Sequence, residues 1–284
     1  MTKLIAFDVN ETLLDLSSLD DAFEDLLGSA ALRGQWFAQM LQLSFVGGLT
    51  GEYVDFTTAQ HAALHMLAER HGRTITTDEA TAVVNRMSSL PAHPEVPDAL
   101  RRLRATDLTL VALTNSVRTV AEAQLTNAGI REHFDEVVSA DAVKRLKPAP
   151  EPYLAVARAF GVDPAEVRLV AAHSWDVSGA LAAGCKAAFV ARPGMVPSPL
   201  GGRPDIVGAD ISEVVDQIMT MDIEQQRPHD RAATWPRSLR RPGRDLGQES
   251  SRAYADDRLP FASRGRVEGG DGVVEGCDVT DVRP

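Results

Sequence analysis

Between residues 97 and 190 short apolar runs alternate with amphipathic stretches, and that rhythm limits the chain to few folds. The runs 108–113, 136–139, 167–170 and 187–190 have the length of buried strands, and 97–104, 117–127, 150–160 and 178–183 have the apolar spacing of helices. Strands that alternate regularly with helices predict an α/β fold, a parallel, doubly wound, Rossmann-like sheet. A further strand opens the chain in Leu4-Ile5-Ala6-Phe7, but the next long segment breaks the rhythm. From about Leu19 to Met87 apolar residues recur at three- and four-residue steps, as in Phe37, Met40 and Leu41, which predicts an inserted helical cap domain. The expected organisation is an α/β core of residues 1–14 and 92–221, a helical cap of residues 15–91, and a tail of residues 222–284.

That tail is rich in arginine, lacks lysine and scatters Pro, Gly and Ser through a stretch with little apolar periodicity, so it reads as disordered and without a role. The folded unit is expected to close near Met219. The rest of the composition excludes some partners. A net charge of −11 offers no basic field for nucleic acid. With no apolar run of about 18 residues, no membrane association is expected. Two cysteines, Cys185 and Cys277, make no disulfide framework, and the expected location is a reducing cytoplasm.

The strand 4–7 delivers Asp8-Val9-Asn10-Glu11-Thr12 to the carboxyl edge of the sheet, where open α/β sheets bind ligands. Asp8 is therefore a candidate nucleophile, although a strand-end aspartate also serves as a turn former or helix N-cap. Asn10 is informative because an amide, unlike a carboxylic acid, cannot protonate a leaving group. Three further sites bring polar groups to the same edge. Thr114-Asn115-Ser116 follows the strand 108–113, though Thr114 or Ser116 would equally cap the next helix. Lys147 sits in a proline-bounded turn that can aim an ammonium. His173 and Asp176 follow the strand 167–170, where either alone would be structural as readily as functional.

The order of these motifs resembles the haloacid dehalogenase superfamily, and within it the type II, (S)-2-haloacid dehalogenases. Asp8-x-x-x-Thr12, Thr114-Asn115, Lys147-Pro148 and a closing Asp176 are similar to its four motifs. Lys147-Pro-Ala-Pro-Glu-Pro-Tyr153 and Ser174-Trp175-Asp176 are similar to the dehalogenase versions in particular. Phosphatases of the superfamily use a second aspartate two places after the nucleophile, where this chain has Asn10. They add a metal-holding acidic residue four places before Asp176, where it has Ala172. A hard divalent cation wants several oxygen ligands, so the expectation is no cofactor and no metal.

The resemblance implies hydrolytic dehalogenation of short 2-haloalkanoic acids to 2-hydroxy acids, with haloacetate or fluoroacetate activity in reach. Asp8 attacks C2 and displaces halide, giving an aspartyl ester that water hydrolyses at its carbonyl. Lys147 holds Asp8 ionised, and Asp176 orients or deprotonates the water. Arg33 cradles the halide with the Asn115 amide. Asn10, Thr12, Thr114 and Ser116 serve the substrate, and Phe37, Phe56 and Trp175 wall off water. Tyr153 reaches Lys147 or the nucleophile. The group usually has tyrosine at Asn10, glycine at Glu11, and Ser-Ser-Asn where this chain has Ala171-Ala172-His173; His173 is expected to act as a donor. The resemblance also implies a homodimer through the cap. A phosphatase of the same superfamily and a catalytically idle binding module are the competing readings.

Overall fold

The computed structural model of the chain describes residues 1–223. Among these, β1 (Leu4–Phe7), β2 (Thr109–Thr114), β3 (Glu136–Ser139), β4 (Val167–Ala171), β5 (Lys186–Val190) and β6 (Ile206–Gly208) form one parallel sheet in the order β3-β2-β1-β4-β5-β6. This is the doubly wound arrangement the alternation predicts. The chain runs outward from β1 to β3 and then returns to β4 on the other side of β1. The strand order reverses there, and at such a point the carboxyl ends of neighbouring strands leave a crevice.

Side chains alternate across the central strand. Ile5 and Phe7 pack with α5 (Val96–Arg104), α6 (Arg118–Asn127) and α9 (Ile211–Ile218), and Leu4 and Ala6 pack with α7 (Pro150–Ala159) and α8 (Ser174–Ala182). Between β1 and α5 lies the helical insert, with α1 (Asp20–Leu27), α2 (Leu32–Thr50), α3 (Phe56–Arg70) and α4 (Thr77–Asn85). Gly28 and Gly51, both left-handed, end α1 and α2. Apolar residues of the insert, including Trp36, Phe37 and Leu64, are continuous with the core on the Ile5 and Phe7 face.

Three details differ from the sequence reading. First, α8 begins at Ser174, four residues earlier than its apolar spacing suggests, because the extended His173 forms its N-cap. Trp175 and Asp176 therefore occupy the first turn, where an acidic side chain suits the helix dipole. Second, β6 and α9 follow β5 in a region the apolar pattern left unassigned. Third, the fold runs past Met219 and residue 221: Asp222 is buried and accepts from Arg168 Nε at 2.6 Å and from Thr2 Oγ at 2.7 Å. Arg168 is itself buried on β4 and pairs also with Asp205, and an uncompensated guanidinium there would be costly. The remaining tail, residues 224–284, lies outside the described residues. Among the described residues no helix is long and apolar enough to cross a membrane.

Candidate active site

Asp8 after β1, Lys147 in the loop between β3 and α7, and Asp176 on α8 after β4 come together at the carboxyl edge of the sheet. Asp8 directly follows β1, and its N–H is fixed on Val170 O at 3.0 Å. Lys147, fully buried, places its Nζ 2.8 Å from Asp8 Oδ1, 2.7 Å from Asp176 Oδ2 and 2.8 Å from Leu113 O, so all three ammonium donors are spent. Burial would raise the Asp8 carboxyl, but Lys147 and a hydrogen bond from His173 hold it well below the usual carboxylate range. Asp176 moves the other way: burial and the neighbouring Asp8 charge push it up against the pull of Lys147. Despite the cost of burying it, the two carboxylates raise the Lys147 ammonium above its ordinary value. One carboxylate is thus kept ionised and its neighbour kept more basic, within reach of one cation.

Tyr153 was expected to reach Lys147 or Asp8, and it reaches neither. Its hydroxyl donates to Asp176 Oδ1 at 2.5 Å, because α7 packs against α8 and the Lys147 donors are already engaged. A Cβ on Gly179 would lie 2.6 Å from Pro148 Cβ and 2.7 Å from Tyr153 Oη, so only glycine lets α8 approach the lysine loop this closely.

The second oxygen of Asp8 is held by two donors. Thr12 Oγ donates to Oδ2 at 2.6 Å and itself accepts from Ala172 N at 2.9 Å, while His173 Nδ1 lies 3.1 Å from the same oxygen. His173 Nε2 lies 2.9 Å from Glu11 Oε2. Burial opposes the charge on this ring, yet hydrogen bonds to Asp8 and Glu11 outweigh it and push its pKa up to about 9. The ring is stacked between Phe37, 5.5 Å away at 12°, and Trp175, 5.1 Å away at 27°. Phe37 and Trp175 thus flank the faces of the His173 ring.

Glu11 is a site neighbour that sequence reasoning did not assign. Its φ of 59° places a charged residue in the left-handed region, at a cost of roughly 1–3 kcal/mol. Its other carboxylate oxygen lies 3.5 Å from Arg33 Nη1, and Arg33 is anchored on Asp20 Oδ1 at 2.6 Å. The expected Arg33 on α2 is therefore directed at the site. Asp8, Asp176 and Glu11 are balanced by Lys147, His173 and Arg33, with Asp20 more exposed behind Arg33. Glu11 and Arg33 also line a cavity of about 460 Å³ with His93, Arg192 and Met195. Arg192, which the sequence reading missed, binds Thr12 O at 2.8 Å and Glu95 at 2.6 Å.

Other expected residues are placed differently. Asn115 accepts from Lys147 N at 2.8 Å and donates to Lys147 O at 3.2 Å, so its amide grips the lysine backbone and has one N–H left over. Asn10 is turned away from Asp8: its amide donates to Ser116 Oγ at 3.3 Å, and its carbonyl accepts from Gln124 Nε2 at 2.9 Å. Thr114 Oγ accepts from Ser116 N at 3.1 Å, and neither side chain caps α6. Phe56 lies at the start of α3, behind its N-cap Asp55, in the hydrophobic core and outside the stack around His173. Ala172 gives its backbone N–H to Thr12 Oγ, and its side chain carries no carboxylate.

The sequence pattern of the haloacid dehalogenase-like hydrolases matches residues 2–184. An (S)-2-haloacid dehalogenase of Pseudomonas sp. (strain YL) is 29% identical over 222 residues, 77% of this chain and 95% of that one. The (S)-2-haloacid dehalogenase of Xanthobacter autotrophicus is 32% identical over 197 residues, 68% of this chain and 76% of the relative. A solved structure of the L-2-haloacid dehalogenase from Xanthobacter autotrophicus, with chloropropionic acid covalently bound, superposes with a TM-score of 0.73 at 26% identity and covers 78% of this chain and all of that one. With a strand-end aspartate, a buried lysine and a closing aspartate on a parallel sheet, the chain belongs to the haloacid dehalogenase-like hydrolases.

Proposed function

We propose that this hydrolase cleaves the carbon–halogen bond of short 2-haloalkanoic acids through an ester on Asp8. The observation that carries the reading is the Lys147 ammonium lodged between Asp8 and Asp176. The space between the two carboxylates belongs to a fixed cation of the chain, and at Asn10, two places after the nucleophile, an amide turned into packing stands where a phosphatase keeps its general acid. Halide leaves without a proton and asks for neither acid nor metal.

In this reading Asp8 attacks C2 of the haloacid and halide departs toward the cationic side of the site, near Arg33 and the remaining Asn115 N–H. Water then attacks the Asp8 carbonyl carbon as Asp176 takes its proton, and a 2-hydroxy acid leaves. Phe37 and Trp175 keep bulk water from the reacting atoms, which strengthens the ionic contacts around them. Residues 15–91 serve as a cap over a core of residues 1–14 and 92–223, and the chain works as a homodimer in the cytoplasm, its mass checked by sedimentation. The names of the relatives support 2-haloacids as substrates.

The test is halide release from 2-chloropropionate in the presence of chelator. Release is expected from the wild type and lost on Asp8→Asn. After a single turnover in heavy-oxygen water, the label is expected first in the Asp8 carboxylate; label passing straight into product would sink the ester mechanism. Phosphate release from small phosphoesters that needs magnesium, without halide release, would replace the whole assignment with a phosphatase.

A further inference from the structure

The Glu11–His173 pair calls for an explanation, because the chain holds a glutamate in a backbone conformation that favours glycine and so builds the contact. His173 is 6% exposed, and each of its ring nitrogens faces a carboxylate oxygen, Asp8 Oδ2 at 3.1 Å and Glu11 Oε2 at 2.9 Å. An ionised carboxylate only accepts hydrogen bonds, so both nitrogens must donate. The two aromatic faces that sandwich the ring also suit a cation.

Counting donors on Asp8 assigns its two oxygens different tasks. Oδ2 accepts from both Thr12 and His173, whereas Oδ1, among the described residues, accepts only from Lys147 and keeps a lone pair free for attack. We propose that Oδ1 is the attacking atom, that Oδ2 becomes the ester carbonyl oxygen held by Thr12 and His173 as an oxyanion hole, and that Glu11 is the positioning residue that keeps His173 a double donor. This rests on the ester reading above.

The hydrolytic step then balances. Water adds to the Asp8 carbonyl carbon as one of its protons passes to Asp176, and the carbonyl π pair moves onto Oδ2 between Thr12 and His173. As that pair returns, the bond from the carbon to Oδ1 breaks, and Oδ1 leaves with the 2-hydroxy acid, taking a proton from Lys147. The proton on Asp176 restores Lys147, 2.7 Å away. Asp8 retains the oxygen of water and loses the second proton to solvent, which accounts for the acid formed with halide. His173 gives up no proton and serves by its charge.

The groups that face His173 are Asp8 at the end of β1, Glu11 in the next loop with Arg33 of α2 behind it, and, beyond Asp8, Lys147 and Asp176 of α8. Arg33 tempers the Glu11 charge, while Lys147 and Asp176 stay paired with each other, so Glu11 is the partner whose removal is felt at the ring.

The test separates ester formation from ester hydrolysis with (S)-2-chloropropionate in single turnovers, following halide release and the mass of the intact protein. Glu11→Gly fits the left-handed backbone. It is expected to slow ester hydrolysis about tenfold at pH 8, more than it slows release of the first halide equivalent, and to lose hydrolysis at a pH lower than the wild type by about one unit or more. His173→Phe keeps the stack and is expected to accumulate ester, with hydrolysis slowed about 10²-fold or more. Nitrogen NMR of the free protein at pH 8 is expected to show His173 doubly protonated in the wild type and largely neutral in Glu11→Gly. Equal His173 protonation in the two proteins, or an unchanged hydrolysis profile in either variant, overturns this proposal and leaves the dehalogenase reading standing. A wild type that releases no halide overturns that reading and this proposal with it.

Discussion

At the scale of single residues, the site is an exercise in placing buried charge. His173 has a folded pKa raised to about 9. Its contribution to stability is therefore fully present below its unfolded value near 6.5 and is lost as pH rises through 9. The stability difference between the wild type and His173→Asn, measured by urea unfolding, is expected to be largest near pH 6 and to shrink by on the order of 3 kcal/mol toward pH 10. Lys147 should be less forgiving. Lys147→Ala strands two buried carboxylates and is expected to destabilise the fold by about 3–5 kcal/mol and to abolish turnover. Lys147→Arg is not expected to rescue activity, because a planar guanidinium cannot aim donors at three converging acceptors. Calorimetry and halide release check both variants. Asp8, Lys147 and Asp176 were legible in the sequence because each follows a recognisable strand or turn. Glu11 was not: its importance comes from a backbone angle and from a histidine 162 positions away in the chain. The role given to Asn10 was misjudged for a similar reason, since its partners Ser116 and Gln124 arrive from distant segments.

At the scale of elements, the close approach of α8 to the Lys147–Pro148 turn is the joint on which the geometry depends. Gly179→Ala is expected to push Pro148 and Tyr153 aside, to cost about 1–3 kcal/mol as overpacking, and to reduce turnover more than stability. Thermal unfolding set beside halide-release rates tests this, and a variant with full activity would show that the joint tolerates a methyl group. Strands β1 to β5 were readable because each is a short apolar run, and helices α5 to α7 because their apolar residues recur on one face. The start of α8 was not, since Ser174, Trp175 and Asp176 carry no helical apolar rhythm; an extended histidine cap decides it. β6, only Ile206–Gly208, is too short to declare itself.

At the scale of the whole molecule, the first and last described segments are tied together on the edge of the sheet opposite the site. Thr2, Lys186 and Asp205 gather around Asp222 and Arg168 in one ionic cluster. Asp222→Ala leaves the buried Arg168, among the described residues, with the more exposed Asp205 as its one carboxylate partner, and is expected to lower stability by about 3 kcal/mol with the rate per folded molecule unchanged. Denaturant titration and active-site counting distinguish the two effects. The sheet, its parallel winding and the helical insert were legible as a pattern. The point where the fold closes was not, because a single aspartate after the last amphipathic helix satisfies an arginine more than fifty residues earlier in the chain.

The burial of Lys147 has a practical consequence. Lys3 and Lys144 are largely exposed and Lys186 is about one-third exposed, but the Lys147 side chain has no contact with solvent. An amine-directed label applied to the native protein should therefore mark the other three lysines and the N-terminal amine and stop, and each later molecule labelled at Lys147 records one opening of the catalytic core. The residue at the centre of the chemistry doubles as a chemical clock for how often the interior is breached.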